Sequence, residues 1–258
     1  MTVLAEIIVR AAFDLSQKSL ASRYGEVKDA DGGPCNFAIV GLGKLGGEEM
    51  TYHSDLDLIF IHSGEGATTG PSVTGAQEYW IKIIQRRISC LSNITRAGFA
   101  YKLDTRLRPS GNAGVLVSSL DTYLNYHDNS EPWEHQALIK ARVIGGSGSS
   151  EWFQEVKDVI HRAVYEWHPP TDLNVRINHL RQRKEKELSR ESKHQRNIKE
   201  GRGGLLDVEY LTQALQLKHG RFCLQLQNPK TMEALRELGR SEERRVGKEC
   251  RSRWSPYH

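Results

Sequence analysis

The amino-acid sequence predicts an α+β fold, in which a mixed sheet with helices is followed by a helical domain. Two short apolar runs, residues 36–40 and 55–62, have the length and the β-branched residues of buried strands. Only the six residues 48–53 lie between the glycines after the first run and the start of the second, whereas a parallel crossover needs a dozen or more. The second strand is therefore expected to return by a short connection. Beyond Asp121 the apolar residues recur at helical spacing.

The composition is typical of a soluble globular protein, with 38% hydrophobic and 26% charged residues among 258. It excludes collagenous and wholly disordered proteins. No window approaches the roughly 18 to 20 uncharged apolar residues of a membrane helix. Glu6 and Arg10 interrupt the apolar N-terminus, which is therefore not a signal peptide. The four cysteines are far apart and lack metal-ligand spacing, so a cytoplasmic location fits best.

The last segment, residues 240–258, differs from everything before it. It is rich in arginine, has no apolar periodicity and is similar to the in-frame translation of a common DNA-library sequencing adapter. We interpret it as an artefact of sequence assembly; a natural basic tail that binds nucleic acid is the alternative. Without this segment the net charge falls from +4 to +1, which removes the indication of a polyanionic macromolecule. We therefore expect no nucleic acid and no membrane as partners.

The first domain, residues 1–147, is expected to begin with a helical lead-in over residues 2–22. Its predicted apolar face has spacings of three and four and consists of Val3, Leu4, Ile7, Ile8, Ala11, Ala12 and Leu15. After the two buried strands, the next helix is marked by Tyr79, Trp80, Ile83, Ile84, Ile88 and Leu91. Residues 100–108 then alternate apolar and charged side chains, which predicts a strand. A turn at 109–114 leads to a further strand at 115–118.

The helical domain is expected at residues 151–239, after the linker-like segment GGSGSS at 145–150. The helices predicted after Asp121 cover residues 133–143, 151–167, 173–199, 205–219 and 230–239. We expect this domain to be truncated, because its last helix stops at the adapter-like tail. The charged stretch 176–202 interleaves basic residues with glutamates and contains no aromatic residue to stack on bases, so it is interpreted as a solvated helix surface.

A glycine loop follows the first strand, and Gly41, Gly43 and Gly46 match the G-x-G-x-x-G pattern. A dinucleotide-binding fold is the weakest interpretation, because the connection to the next strand is too short for its helix. A Walker A loop also fails, since Lys44 is followed by Leu45 where a Ser or Thr is required. What remains is a loop whose backbone N–H groups can approach phosphate oxygens, with Lys44 as an added positive charge.

The second strand carries two carboxylates, because the strand period of two places Asp55 and Asp57 on one face, about 6.5 to 7 Å apart. Their repulsion calls for a compensating cation, and hard oxygen ligands suit Mg²⁺. An acidic edge strand is the alternative, although the residues after Asp57 are too apolar for an edge. Asp104 provides a third carboxylate on a later strand, beside Arg106 and Arg108. These cations are candidates to hold a triphosphate, or to form structural ion pairs.

Four segments, in this order, resemble glutamine synthetase adenylyltransferases: GLGKLGGEEMTYHSDLDLIF, LDTRLRPSGNAGVLVSSL, WEHQALIKARVIGG and KEGRGGLLDVEYLTQALQLKHG. The resemblance covers residues 1–239. A glycine loop, an Asp-x-Asp strand and a later strand Asp are also shared with DNA polymerase beta-like nucleotidyltransferases, so this fold is implied for the first domain. The family is bifunctional, and DTRLRPSGNAG and WEHQAL look more like its C-terminal, adenylyl-transferring half. The adenylyl-removing half and a non-catalytic nucleotide-binding regulatory module are the alternatives.

The resemblance implies transfer of AMP from ATP to a tyrosine hydroxyl of glutamine synthetase, with release of pyrophosphate. Two Mg²⁺ ions would be held by Asp55, Asp57 and Asp104, which are the implied catalytic residues. The implied nucleotide-binding residues are Gly43, Lys44, Gly46, Gly47, Ser54, Arg106 and Arg108. Glutamine synthetase is the implied protein substrate, and the PII signal protein and glutamine are the implied effectors.

Further along the chain, Lys140 and Arg142 are expected on a helix, where at most one of them points into the site. For His135, helix packing and a functional role remain equally open. Asp207 and Glu209 are expected to begin a helix, where the N-terminal dipole favours acidic groups.

Overall fold

The computed structural model describes residues 1–87, 91–92, 96, 98–192 and 195–240. Ile88, Cys90 and the adapter-like residues after Arg240 lie outside the described residues. The chain forms two compact units, one covering Met1–Trp167 and the other beginning at His168. No helix among the described residues is long and apolar enough to cross a membrane.

The helices of the first unit are α1 (Thr2–Tyr24), α2 (Gly43–Gly46), α3 (Ala76–Arg87), α4 (Leu120–His127), α5 (Pro132–Leu138) and α6 (Ser150–His161). Its strands are β1 (Val27–Lys28), β2 (Phe37–Gly41), β3 (Leu56–His62), β4 (Ala67–Thr68), β5 (Leu103–Asp104), β6 (Ser118–Ser119) and β7 (Arg142–Ser147). The helices of the second unit are α7 (Leu173–Leu188), α8 (Leu205–His219) and α9 (Thr231–Arg240).

The main sheet has the order β5-β3-β2-β7, with β6 pairing the far end of β3. β2 and β3 are antiparallel, which confirms the short return predicted from the length of their connection. β5 and β6 both run parallel to β3, so the sheet is mixed, as predicted. β3 has neighbours on both sides and is therefore not an edge strand.

A stack of aromatic rings joins one face of the sheet to α1 and α3. Phe37 on β2 lies between Phe13 of α1 and Trp80 of α3, with ring centroids 5.2 Å and 4.6 Å away, and Phe60 on β3 extends the stack at 6.2 Å. All five residues of β2 are buried, so the sheet is covered on both faces. This rigid centre holds the ends of β2 and β3, from which the site is built.

The helix α1 is confirmed, but its predicted apolar face is covered only in part: Ile8 and Ala12 pack against the core. Val3 is 69% exposed, and Ile7 and Leu15 are exposed as well. The buried side instead carries Ala5, Val9, Phe13, Ser16, Leu20 and Tyr24. Both sets of residues have helical spacing, and only the sheet decides which set is covered, through rings such as that of Phe13.

The helix predicted at residues 133–143 is too long, because α5 ends at Leu138 and β7 begins at Arg142. The linker-like GGSGSS is also corrected, since Gly145 and Gly146 pair with Ile39 and Ala38 of β2. Glycines are depleted in strands, so the sequence gives little sign of this edge strand. The first compact unit continues through α6 and a π-helical turn to Trp167, whereas the sequence placed its end at residue 147.

The two later strands are much shorter than predicted. The strand expected at residues 100–108 is reduced to Leu103–Asp104, and the one expected at 115–118 to Ser118–Ser119. After Asp104 the chain curls into turns, because Arg108 donates hydrogen bonds to carbonyls of its own segment, including Thr105 O at 2.8 Å. Apolar alternation thus predicted the presence of strand pairing but not its extent.

The second unit contains the helices predicted after residue 168, with α7 ending at Leu188 rather than near residue 199. Most of its charges are exposed, but Arg181 is buried, with 2% of its side chain exposed. Arg181 Nε lies 2.5 Å from Asp207 Oδ1 in an ion contact, and its Nη2 donates to Gly201 O at 2.8 Å. Asp207 lies in the first turn of α8, as predicted, and it also compensates a buried cation.

Candidate active site

Three carboxylates meet at the start of β3. Asp57 and Asp104 are register partners across the parallel pair of β3 and β5, and neighbouring strands lie about 4.8 Å apart. Asp55 directly precedes β3 and is exposed, whereas Asp57 and Asp104 are partly buried. Leu56 and Leu58 point into the core, which confirms the predicted alternation. The structure therefore brings Asp55, Asp57 and Asp104 to the end of the sheet at which β3 and β5 begin. These three residues are called the acidic edge.

Arg106 is the cation at this acidic edge. Its Nε lies 3.0 and 2.9 Å from the two carboxylate oxygens of Asp104, and its backbone N–H donates to Oδ1 at 2.9 Å. The side-chain hydrogen bond from Arg106 is the main cause of the lowered pKa of Asp104. The pKa of Arg106 is raised, first by Asp104 and then by the charges of Asp57 and Asp55. All three carboxylates thus raise the pKa of the Arg106 guanidinium.

Gly43 lies directly against Asp57. Its φ is +51°, a conformation that favours glycine, and a Cβ at this position would overlap the Asp57 carboxylate. The backbone N–H of Leu42 also donates to the carbonyl of Asp57 at 2.9 Å. The glycine loop is thereby held against the acidic edge, as the sequence anticipated for a loop opposite an acidic strand.

Gly46 has a packing role that its sequence motif did not indicate. A Cβ on Gly46 would overlap the carbonyl oxygens of Lys140 and Gly41. The backbone N–H groups of Gly46 and Gly47 donate to Leu42 O and Gly43 O, at 2.9 and 3.0 Å. Both amides are thus engaged in the short helix rather than facing outward to phosphate. Lys44, in contrast, is exposed.

Two basic residues hold the glycine loop in place: Arg142 contacts α2, and Lys140 contacts Glu49, which follows it. Arg142 Nε donates to Gly46 O at 3.0 Å, its Nη2 donates to Leu45 O at 3.1 Å, and Nη2 also pairs with Glu6 of α1. Lys140 Nζ donates to Glu49 Oε2 at 2.8 Å, with only 4% of the Lys140 side chain exposed. The sequence placed these residues on a helix, whereas Lys140 precedes β7 and Arg142 begins it.

Arg108 donates its hydrogen bonds to the loop in which it lies. Its Nη1 donates to the carbonyl and the hydroxyl of Thr105 at 2.8 and 2.9 Å, and its other nitrogens reach Gly114 O and Asn112 O at 3.3 and 3.4 Å. Of the two arginines predicted to clamp a triphosphate, Arg106 therefore faces the carboxylates and Arg108 shapes the loop.

Ser54 lies in a tight turn immediately before Asp55. Its Oγ accepts a hydrogen bond from the backbone N–H of Thr51 at 2.9 Å, and its own N–H donates to Thr51 O at 3.1 Å. The hydroxyl predicted to bind nucleotide thus closes this turn in the structure, beside the acidic edge.

His135 is fully buried away from the acidic edge. Its Nδ1 lies 2.6 Å from Ala163 O, its Nε2 lies 3.0 Å from Ser130 Oγ, and its ring stacks on Trp167 at 3.9 Å. Burial lowers the pKa of His135, and it lowers the pKa of the neighbouring His127 to about 4. These contacts favour helix packing as the role of His135.

The donor set of the acidic edge fits a hard divalent cation, because all three side chains offer carboxylate oxygens. Within the described residues no three His, Cys, Asp or Glu side chains are arranged to surround a metal ion directly. The Asp104 carboxylate instead accepts hydrogen bonds from Arg106.

Comparison with known proteins identifies the class of enzyme to which this chain belongs. The family model for glutamate-ammonia ligase adenylyltransferase matches residues 1–157. A second model, for GlnD PII-uridylyltransferase, matches residues 171–254. The chain belongs to the glutamate-ammonia ligase adenylyltransferase family, whose members are nucleotidyltransferases.

Curated relatives carry the name bifunctional glutamine synthetase adenylyltransferase/adenylyl-removing enzyme. The protein from Hahella chejuensis is 34% identical over 268 residues, which cover 97% of this chain and 27% of the relative. Those from Nitrosococcus oceani and Mannheimia haemolytica are each 35% identical, covering 83% and 85% of this chain and 22% and 23% of the relatives. The chain thus spans about a quarter of the length of the relatives it matches.

Proposed function

We propose that this chain carries the adenylyl-transferring activity, in which AMP passes from ATP to a tyrosine hydroxyl of glutamine synthetase and regulates nitrogen assimilation. The observation that carries the proposal is the pairing of Asp57 with Asp104 beside Gly43, where an added Cβ would overlap the Asp57 carboxylate. The mixed sheet supports a DNA polymerase beta-like nucleotidyltransferase fold as part of the proposal. The C-terminal assignment rests on the DTRLRPSGNAG and WEHQAL segments.

Asp55, Asp57 and Asp104 would hold Mg²⁺, with two ions proposed. When bound, Mg²⁺ supplies positive charge that offsets the phosphates and stabilises the leaving pyrophosphate. Asp104 would also orient the attacking tyrosine hydroxyl. Lys44 is exposed at the glycine loop and could pair with a phosphate of ATP.

Arg106 is suited to exchange partners during this reaction. Its side chain is 72% exposed, although its guanidinium contacts Asp104. The Asp104 side chain is only 18% exposed, so Arg106 can release it without leaving an unpaired carboxylate only when a bound cation takes its place. A triphosphate offers the guanidinium an alternative anionic partner with more charge. Arg106 would therefore turn from Asp104 to the nucleotide when ATP and Mg²⁺ bind.

Glutamine synthetase as the protein substrate is supported by the names of the relatives. The PII signal protein and glutamine as effectors, and a cytoplasmic location without nucleic-acid or membrane partners, belong to the proposal through the sequence resemblance and composition. The effectors would control the activity, and the cytoplasm is where it would act.

The proposal is tested by labelling glutamine synthetase with ATP and Mg²⁺ and comparing wild type with Asp57→Asn. The substitution keeps the side-chain size but removes a charge from the acidic edge, so labelling should fall by about a hundredfold or more. Asp14→Asn makes the same chemical change at an exposed position of α1 and should label normally. Normal labelling by Asp57→Asn would contradict the assignment of this site.

The adenylyl-removing activity is the second candidate, because the relatives are bifunctional and this chain spans about a quarter of them. The reaction would use phosphate to release ADP from adenylyl-tyrosine. Modified glutamine synthetase, phosphate and the chain are incubated together, and ADP is measured. ADP release without labelling in the forward assay would assign this chain to the removing half.

A further inference from the structure

Tyr52 differs from the other tyrosines that the structure describes. Its side chain is 83% exposed. The buried tyrosines are Tyr24, Tyr79, Tyr101, Tyr123, Tyr165 and Tyr210. Tyr126 is partly buried, and its hydroxyl donates to Glu134 Oε1 at 2.6 Å. Within the described part of the chain, Tyr52 is therefore the tyrosine whose hydroxyl is presented to an incoming reactant.

A tight turn places Tyr52 beside the acidic edge. The turn runs from Thr51 to Ser54 and is closed at both ends, by the Ser54 N–H to Thr51 O at 3.1 Å and by the Thr51 N–H to Ser54 Oγ at 2.9 Å. The two hydroxyl oxygens lie 3.1 Å apart and add a third link. Tyr52 is a central residue of this turn, and Asp55 follows it directly. Three residues span at most about 11 Å, so the Tyr52 backbone stays within that distance of Asp55.

We propose that Tyr52 is a site of self-adenylylation. The inference rests on the proposed function, because it uses the same reaction with a different tyrosine. The phenolic oxygen of Tyr52 forms a bond to the α-phosphorus of ATP, and the bond from that phosphorus to the bridging oxygen of pyrophosphate breaks. Pyrophosphate leaves with the bond electrons, and the phenolic proton passes to solvent, to which the hydroxyl is open.

Tethering is the physical reason for this reaction. A tyrosine whose backbone is held within about 11 Å of that of Asp55 has an effective concentration in the millimolar range, without any docking interface. A tyrosine of a partner protein must be recognised and brought there from solution. The reaction at Tyr52 should therefore be intramolecular, with a rate per chain that does not change on dilution.

The test is to incubate the 258-residue chain with ATP and Mg²⁺, measure its intact mass and map the modified residue. Wild type should gain the mass of one adenylyl group, located on Tyr52. Tyr52→Phe removes only the exposed hydroxyl and should lower the gain at least tenfold. Tyr126→Phe makes the same change at a tyrosine whose hydroxyl is held by Glu134, and it should retain the gain.

Labelling of glutamine synthetase is measured in the same samples, so that two failures are distinguished. Tyr52→Phe should still label glutamine synthetase, because Tyr52 is an acceptor and not part of the catalytic edge. Labelled glutamine synthetase with no adduct on Tyr52 would overturn the inference and leave the proposed function intact. An adduct that grows faster per chain at higher protein concentration would overturn the intramolecular reaction. Absence of both products would overturn the proposed function and the inference together.

Discussion

Asp57 lies between two flanks that are held in place by different means. The glycine flank, residues 41–49, is fixed by backbone contacts that leave no room for a Cβ and by the buried Lys140. The loop flank, residues 103–114, has one close backbone contact, at Gly114, and is further fixed by the hydrogen bonds of Arg108 and by the pair between the exposed Arg106 and the partly buried Asp104. The glycine flank holds its backbone in a fixed position beside Asp57, whereas the loop flank carries charged side chains that can change partners.

This difference has a physical basis. Close backbone packing has steep distance dependence, so a small displacement is costly and the glycine flank is rigid. The Arg106 guanidinium in the loop flank is exposed to solvent, which screens its charge, so it can change partners more easily than buried backbone atoms can move. A site that must hold a nucleotide and also release product benefits from one fixed side and one adaptable side. Substitutions on the glycine flank should therefore destabilise the fold more than those on the loop flank.

The largest effect is expected for Gly46→Ala. The added methyl group would overlap the carbonyl oxygens of Lys140 and Gly41, which are backbone atoms and cannot turn aside. The free energy of unfolding, measured with urea, should fall by about 3 kcal/mol or more. Gly239→Ala is the matched control, because no atom lies within 4 Å of its Cβ position. As a helical position it should be neutral or gain up to about 1 kcal/mol.

Arg142→Ala should have the next largest effect. It removes two hydrogen bonds to the carbonyls of α2 and leaves Glu6 without this partner, so unfolding should become easier by about 2 to 3 kcal/mol. Because α2 positions the glycine flank, the KM for ATP should rise more than kcat falls. Arg142→Lys should recover part of both losses. Arg176→Ala breaks an exposed pair with Asp172 and should lower the free energy of unfolding by less than about 0.5 kcal/mol. An equal loss for Arg142→Ala and Arg176→Ala would contradict the expected difference between partly buried and exposed pairs.

Acid should lower the stability of α4 and α5, the helices that contain His127 and His135. Burial lowers the pKa of His127 to about 4, so the folded state binds fewer protons than the unfolded state, whose histidine titrates near 6.5. Stability is therefore complete above pH 6.5 and falls as the pH drops toward 4. Between pH 7 and 5 the loss should be about 2 kcal/mol for His127, and the lowered pKa of His135 acts in the same direction.

Urea unfolding at the two pH values measures this loss. His127→Gln cannot titrate and should make the pH dependence shallower. The exposed His53 provides the control, since His53→Gln should leave the dependence as in wild type. A pH dependence unchanged by His127→Gln would show that this histidine is not its source.

The smallest effect is expected for Arg108→Ala, which should lower the free energy of unfolding by about 1 kcal/mol. The lost hydrogen bonds are those that fold residues 105–114 back on themselves, to Thr105 and Gly114. Limited proteolysis should therefore show new cleavage within this loop. Arg86→Ala, at an exposed position on α3, should produce none. Cleavage in the glycine flank instead would indicate that the two flanks are not held separately.

Local patterns predicted much of the sheet and its helices. The alternation of Asp55 and Asp57 with Leu56 and Leu58 predicted that the two leucines point into the core at the start of β3, and the structure confirms it. The short connection from β2 predicted the antiparallel return. These features depend on neighbouring residues of one segment, so that period and loop length are sufficient to infer them.

Other features could not be inferred, because they arise between segments far apart in the chain. β7 is a glycine-containing strand that forms only because the free edge of β2 pairs with it. Arg142 reaches α2 across nearly one hundred residues of sequence, so no local pattern indicates its role. The buried side of α1 is chosen by the ring of Phe37, since both sides of this helix carry apolar residues.

The sequence by itself determined the chemical components of the site: three carboxylates, a glycine loop and nearby arginines, with a resemblance that named the family. Their residue types and spacings are properties of the chain before it folds. Only the tertiary structure decided how they are used, including the pairing of Asp57 with Asp104 and the division of labour between Arg106 and Arg108. The physical reason is that partner choice depends on packing and strand register, which long-range contacts establish.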